Sequence, residues 1–180
     1  QPRDAIEVNG FIELIDRDAP HDRVLDRLRA LQTRLQGDGE WERQTHELRA
    51  AIEGALAAPS DDPTQFQLKP HVITEIDRID DADLIRYLTY RYRYDIFPIT
   101  RELADYPPCV QVEPTSICNF RCVFCYQTDE SFSAKGSSHM GSMTLDLFKR
   151  AIDELEGNVE AVTFASRGEP LASKAIPEML

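Results

Sequence analysis

The sequence lacks long apolar runs and any excess of positive charge. Its 180 residues carry 32 acidic and 20 basic side chains, for a formal net charge of -12. No stretch approaches the roughly 20 apolar residues that span a bilayer, and no basic region followed by an apolar stretch opens the chain. These absences argue against a membrane protein, and the acidity disfavours nucleic acid or an anionic membrane as the main partner.

Cysteine is scarce and unevenly placed. The chain has 4 cysteines, of which three fall within "CNFRCVFC". The evenly spread cysteines of a disulfide-stapled secreted domain are therefore absent, and we expect reduced thiols in a cytoplasmic protein. Internal repeats and low-complexity tracts are also absent. Because the chain begins with Gln1 and ends at Leu180 inside an apparent helix, we expect a truncated piece of a longer protein.

Helical periodicity dominates the first hundred residues. Apolar residues recur at helical spacing in residues 24–35 and again in 41–57, with "GDGE" between them. This pattern predicts two antiparallel helices, so residues 1–58 are predicted to be a helical hairpin region. Half-exposed His46 in this pair is interpreted as structural.

The next segment, residues 59–108, is predicted to be a linker and a helical extension. Prolines and aspartates near residue 60 are typical of a linker. "HVITEI" (71–76) is predicted to be extended, and a helix is predicted from about Asp81 to Phe97. "RYLTYRYRY" in that helix permits two interpretations: a stacking and phosphate-binding surface for RNA, or tyrosines that pack with wet hydroxyls. The acidic surroundings favour the second.

The pattern changes after Pro108. Residues 109–116 predict a strand that leads into a loop, 143–157 predict a helix, and 159–166 predict a second strand that is buried on both faces. A strand, a helix and a strand in this order form a βαβ unit, which implies a parallel sheet. The last part of the chain is therefore predicted to be α/β.

Cys118, Cys122 and Cys125 form the pattern C-x3-C-x2-C. Closely spaced thiolates suit zinc or an iron–sulfur cluster. Structural zinc takes four ligands, and neither His139 nor Cys109 lies at a zinc-finger spacing from the three cysteines. Cys109 is interpreted as a small apolar residue. A [4Fe–4S] cluster takes four cysteines, so three would leave one iron open to another ligand.

The stretch "EPTSICNFRCVFCYQ" resembles the signature of the radical S-adenosylmethionine (radical SAM) superfamily, with Phe124 at its aromatic position. The resemblance implies an α/β fold, the start of a (β/α)6 partial TIM barrel preceded by a mostly helical N-terminal region. It implies that Cys118, Cys122 and Cys125 bind a [4Fe–4S] cluster, and that Phe124 lies near the adenine of S-adenosylmethionine. Residues 109–180 would be the first, incomplete part of that core, with two of its six strands.

A second match follows in "SRGEPL". Gly168, Glu169 and Pro170 match the family's G-G-E-P stretch, whereas Arg167 replaces its first glycine. The resemblance implies that this turn contacts the methionine ammonium of the cofactor. Gly168 would allow close backbone approach, and Glu169 would offer a carboxylate to the cation. The departure at Arg167 leaves the backbone contacts there open.

The resemblance implies a radical SAM enzyme that cleaves S-adenosylmethionine reductively to a 5′-deoxyadenosyl radical, which abstracts hydrogen from a peptide or a small-molecule substrate. Flavodoxin or ferredoxin would donate the electron. The motif resembles the branch with C-terminal auxiliary clusters, and residues around His139 are predicted to be a lid or substrate loop. The fragment alone is expected to be inactive. The alternative is a non-catalytic metal-binding module, with zinc or a ferredoxin-like cluster, for partner binding or electron transfer.

Overall fold

The computed structural model describes residues 21–134, 136–164 and 166–180. Helix makes up 54% of it. The chain divides into two compact units between Ala104 and Asp105. The α-helices and strands are α1 His21–Gly37, α2 His46–Leu56, α3 Pro70–Arg78, α4 Asp81–Thr100, β1 Cys109–Val112, α5 Glu130–Ser133, α6 Leu145–Leu155, β2 Ala161–Phe164 and α7 Ile176–Met179. Within these described ranges, no helix is long and apolar enough to cross a membrane.

The first unit is a helical bundle around one hydrophobic core. The predicted apolar stripe of α1 is buried, as are the stripes of α2 and α4; the buried members include Val24, Leu28, Leu31, Leu35, Leu48, Ile52, Leu84 and Leu88. Thr45 caps α2, because its side chain accepts a hydrogen bond from the Leu48 N–H at 3.4 Å. Arg23 pairs with Asp77 and so ties α1 to α3. The amphipathic patterns of α1, α2 and α4 therefore predicted their buried faces correctly, whereas residues 1–20 of the predicted hairpin region lie outside the described residues.

The prediction that residues 71–76 are extended was wrong. They lie in α3, which begins at Pro70 and buries Val72, Ile73 and Ile76. A short apolar run has no decisive period, so neighbouring residues decide between helix and strand. Proline fits the first helical position because its missing N–H needs no partner there. Pro70 is thus a helix start in this chain.

The arginine- and tyrosine-rich stretch lies in α4 and is partly buried. Tyr92 packs in the core at 7% exposure. Nη2 of Arg91 lies 2.8 Å from a carboxylate oxygen of Asp95, and Nη2 of Arg93 lies 2.9 Å from a carboxylate oxygen of Glu47. These two guanidinium groups are therefore held by carboxylates of their own unit.

The second unit contains a two-stranded parallel sheet. β1 pairs with β2 in a register that joins Cys109 to Ala161 and Val112 to Phe164. Helix α6 connects the strands, capped by the Thr144 side chain, which accepts a hydrogen bond from the Leu147 N–H at 3.2 Å. A small core of Val112, Phe148, Ile176 and Met179 lies beneath them. The predicted parallel pairing of these two strands is confirmed.

The predicted fold class was nevertheless wrong. The described residues are mostly helical, with one sheet of two strands, and no partial (β/α)6 TIM barrel is present among them. The prediction that the second strand is buried on both faces was also wrong, since Val162 is 39% exposed. The local sequence pattern identified a strand pair. The number of strands in a sheet depends on how distant segments pair, and a local pattern carries no information about that pairing. The predicted divisions after residues 58 and 108 stay predictions.

Candidate metal and cofactor site

The three clustered cysteines lie in the loop that follows β1. Cys118, Cys122 and Cys125 line one small depression of about 20 Å³, together with Phe120, Arg121, Gln127 and Thr128. Cys122 is exposed and the other two are half-buried, and all are free thiols. Cys109 lies in β1, outside this lining. The structure thus brings the three predicted ligands to one surface feature.

Backbone hydrogen bonds shape the cysteine loop. The N–H of Cys125 donates to the carbonyl oxygen of Cys122 at 2.9 Å, which closes a tight turn between the second and third cysteines. The N–H of Phe120 points at the sulfur of Cys118, with an N···S distance of 3.4 Å. The thiols therefore sit on a folded loop whose turns limit where the sulfur atoms can lie.

Thr115 and Ser116 anchor the start of this loop. Both are buried, at 1% and 3% exposure. The N–H of Ser116 donates to the carbonyl oxygen of Gly141 at 2.9 Å, and the hydroxyl of Ser116 accepts from the N–H of Gly141 at 2.7 Å. The hydroxyls of Thr115 and Ser142 lie 2.9 Å apart. Residues 126–134 and 136–141, which we together call the strap, therefore begin beside Cys125 and return to the base of the same loop.

The turn after β2 is bonded directly to the cysteine loop. The N–H of Glu169 donates to the carbonyl oxygen of Ile117 at 2.8 Å. Gln127 bridges the same two segments: its side-chain amide donates to the carbonyl oxygen of Ser116 at 2.7 Å and accepts from the N–H of Gly168 at 3.2 Å. The two motifs, separated by about 40 residues, thus form one site at the end of the parallel strand pair where both strands finish.

Sequence reasoning did not identify Gln127 as part of the site. Its side chain is 7% exposed and both of its polar groups are satisfied by the backbone of the site. A buried amide with matched partners fixes geometry, because an unpaired polar group there would cost free energy. The sequence signal was weak: Gln127 follows the third cysteine by two positions, and a glutamine there is ordinary in a surface loop.

Glu169 and Phe124 occupy less enclosed positions. The carboxylate of Glu169 accepts a hydrogen bond from the N–H of Leu171 at 3.1 Å, and so caps the short 3-10 helix Pro170–Ala172. Phe124 is 89% exposed, and Phe120 rather than Phe124 lines the depression with the cysteines. Cofactor contacts of Phe124, Gly168, Glu169 and Pro170 stay predictions.

Arg167 packs against the strap. Its guanidinium donates to the carbonyl oxygen of Phe132 at 2.8 Å and lies 3.6 Å from the sulfur of Met140. It also lies over the ring of Tyr126, 5.7 Å from the ring centroid. The ring of His139 lies 5.3 Å from that of Phe132. Arg167 therefore connects the turn to the strap.

A bound metal group places geometric requirements on its donor set. Across residues 21–134, 136–164 and 166–180, no group of three or more His, Cys, Asp or Glu side chains is arranged to hold a single metal ion. A single ion needs its ligands to converge on one point, whereas a [4Fe–4S] cluster binds each thiolate through a different iron. Cys118, Cys122 and Cys125 line one open depression, so they would be the residues to hold a cluster if one binds there.

Comparisons with family models, with curated proteins and with solved structures found no match to this chain. Support for any function therefore comes from two sources. One is the residues of the two motifs, and the other is the hydrogen bonds that join the cysteine loop to the Gly168 turn.

Proposed function

We propose that this chain is part of a radical SAM enzyme, in which Cys118, Cys122 and Cys125 hold a [4Fe–4S] cluster and the turn at 168–170 contacts S-adenosylmethionine. The observation that carries the proposal is the bridge through Gln127, which bonds the turn to the cysteine loop. A motif pair that acts on one cofactor has to be adjacent in space. The proposal includes a cytoplasmic location, a peptide or small-molecule substrate, and an electron donor such as flavodoxin or ferredoxin.

The cluster and S-adenosylmethionine together would supply one-electron cleavage of a carbon–sulfur bond, and hence a carbon radical for hydrogen abstraction. The residues of this chain bind and orient. If three thiolates held such a cluster, one iron would have no protein ligand. Gly168 has a positive φ of 77° and lies against Thr115 and Ser116, so its backbone brings the turn close to the cysteine loop. Glu169 places a carboxylate one residue further along.

The second candidate is a metal-binding module without catalysis. The specific observation in its favour is the position of the predicted cofactor residues: the Glu169 carboxylate already caps the Leu171 N–H, and Phe124 is 89% exposed. If the turn serves only to support the cysteine loop, the three thiols would bind zinc or a ferredoxin-like cluster for partner binding or electron transfer. The two candidates share the cysteines and differ in S-adenosylmethionine binding.

The test is anaerobic reconstitution of the chain with iron and sulfide. We expect about four iron and four sulfide per chain. The variants Cys118→Ala, Cys122→Ala and Cys125→Ala should each impair the cluster, and the triple variant should abolish it. Cys109→Ala is the matched control, because this cysteine lies in β1 away from the depression, and it should retain the iron.

Electron paramagnetic resonance of the reduced cluster separates the two candidates. Addition of S-adenosylmethionine should change the spectrum if the cofactor binds the open iron, and 5′-deoxyadenosine should form where turnover is supported. An iron cluster whose spectrum does not change when S-adenosylmethionine is added would support the non-catalytic module. Zinc in the purified protein, with no uptake of iron, would rule out the radical SAM proposal.

A further inference from the structure

Arg167 is held in one position by the strap. Its Nη2 donates to the Phe132 carbonyl oxygen at 2.8 Å, and the guanidinium lies over the ring of Tyr126. The side chain is half-buried. A planar guanidinium that is fixed in this way has already lost much of the side-chain freedom that ligand binding would otherwise remove. Arg167 is therefore preorganised.

The positive charge of Arg167 is not neutralised by a carboxylate. No acidic side chain of the described residues forms an ion pair with it, and its described partners are a carbonyl oxygen, a thioether sulfur and the ring of Tyr126. The half-buried and buried arginines of the helical unit differ, since Arg91 pairs with Asp95 and Arg93 pairs with Glu47. In a chain with a net charge of -12, an arginine packed into a functional site without a carboxylate calls for an explanation.

One donor of this guanidinium is also unsatisfied. Nε of Arg167 is buried and has no hydrogen-bond partner. Nε of Arg49 and Nε of Arg91 are likewise buried without a partner, but both of those arginines pair with a carboxylate through a terminal nitrogen, so the missing carboxylate is what distinguishes Arg167. A guanidinium has five N–H donors in a fixed fork that matches the oxygen atoms of a carboxylate or a phosphate.

We propose that Arg167 binds an anionic group, a carboxylate or a phosphate, of the substrate. Its location supports this assignment, because Arg167 directly precedes the Gly168–Glu169 turn and contacts Tyr126, the neighbour of Cys125. The strap beside it carries three aromatic rings, those of Tyr126, Phe132 and His139. That the anion belongs to the substrate rests on the proposed function, whereas the binding of an anion at Arg167 does not.

The test is an NMR titration of the full, reduced 180-residue chain, labelled with nitrogen-15. Inorganic phosphate is added in one series and acetate in another, with sodium chloride at matched ionic strength as the reference. We expect the Nε–H signal of Arg167 and the amide signals of 126–132 to shift saturably with phosphate, acetate or both. The series with the tighter binding identifies the anion class. Exposed Arg150 on α6 provides an internal control in the same spectra.

Two variants complete the test. Arg167→Gln should weaken anion binding roughly tenfold or more, since it removes a charge-assisted hydrogen-bond donor, whereas Arg150→Gln should leave it unchanged. Equal shifts at Arg167 and Arg150 in the wild-type chain would overturn the proposal, even if Arg167→Gln failed to fold. Iron uptake is measured separately, so loss of the cluster proposal and loss of the anion site are distinguishable.

Discussion

Gly168 lies so close to Thr115 that no side chain fits between them. A β-carbon on Gly168 would overlap the carbonyl oxygen of Thr115 and lie 2.9 Å from its carbonyl carbon. The backbone of Gly168 also has φ of 77°, in the left-handed region that glycine adopts freely. This contact holds the turn after β2 against the start of the cysteine loop, and it requires glycine for two independent reasons.

Gly168→Ala should therefore open the junction between the turn and the cysteine loop. The left-handed backbone alone costs about 1 kcal/mol for alanine, and the overlap with Thr115 adds about 1–3 kcal/mol. Hydrogen-exchange mass spectrometry should show faster exchange of the Glu169 N–H, which donates to Ile117 in the wild-type chain. Gly157→Ala is the control: it has φ of 75° and nothing within 4 Å, so it isolates the backbone cost. Equal effects of the two substitutions would contradict a packing role for Gly168.

Glu169 is expected to contribute charge to cofactor binding. Glu169→Ala and Glu169→Gln should both weaken S-adenosylmethionine binding by about one to two decades, because removal of a charge-assisted partner costs about 1.5–3 kcal/mol. Both variants should retain the iron. The glutamine variant keeps an acceptor for the Leu171 N–H, so it separates charge from capping. The affinity for S-adenosylmethionine is measured by calorimetry on reconstituted protein. If Glu169→Gln binds the cofactor as tightly as wild type, the carboxylate only caps the turn.

Gly54→Ala should destabilise the helical unit, although alanine is the better helix former. A β-carbon on Gly54 would lie 2.7 Å from the carbonyl oxygen of Phe66 and 3.1 Å from its nitrogen. The backbone of the fully buried Phe66 cannot move aside cheaply, so the overlap should cost about 1–3 kcal/mol. Helix propensity returns about 1 kcal/mol, which leaves a net destabilisation of up to about 2 kcal/mol. Denaturant unfolding followed by fluorescence of Trp41, the one tryptophan, reports on this unit. Gly37→Ala, with nothing within 4 Å, should be close to neutral.

Glu47 should make the stability of the helical unit depend on pH. Burial alone raises the pKa of Glu47, but hydrogen bonds from its own backbone and from Arg93, with the charge of Arg93, outweigh burial and lower that pKa. The folded state thus binds the proton less tightly than the unfolded state, so stability is present above the unfolded pKa of about 4.3 and is lost as the pH falls through the folded value. Glu47→Gln should cost about 1 kcal/mol at pH 7.

The pH effect is measured by Trp41 fluorescence in denaturant between pH 7 and strongly acidic conditions. The wild-type and Glu47→Gln proteins should converge as the pH falls, because protonation removes the same charge that the variant lacks. Glu42→Gln is the control, since its carboxylate pairs with Arg49 but its side chain is 84% exposed. A constant difference between wild type and Glu47→Gln at every pH would refute the assignment.

The elements of this chain could be predicted where local pattern is decisive. The apolar residues from Val24 to Leu35 recur at a single helical period and lie on one face of the helix, and that face is buried. The parallel pairing of β1 with β2 followed from a strand, a helix and a strand in sequence. In contrast, residues 71–76 have an apolar run without a clear period, and they lie in a helix that begins at Pro70.

The site could be predicted only in part. The spacing of Cys118, Cys122 and Cys125 identified thiols that reach one depression, since residues three and four apart in a loop are necessarily near one another. Gln127 could not be identified, because its role depends on Ser116 on one side and Gly168 on the other. The position of the Arg167 guanidinium depends in the same way on Phe132, 35 residues earlier in the chain.

The sequence by itself determined the amphipathic helices, the strand pair and the three thiols, because each depends on residues within a few positions of one another. The tertiary structure decided how many strands form the sheet, which amide joins the two motifs, and which glycines admit no side chain. Those features depend on contacts between segments far apart in the chain. Such contacts form only where packing and hydrogen bonds together offset the conformational entropy that the chain loses. No local pattern specifies where that happens.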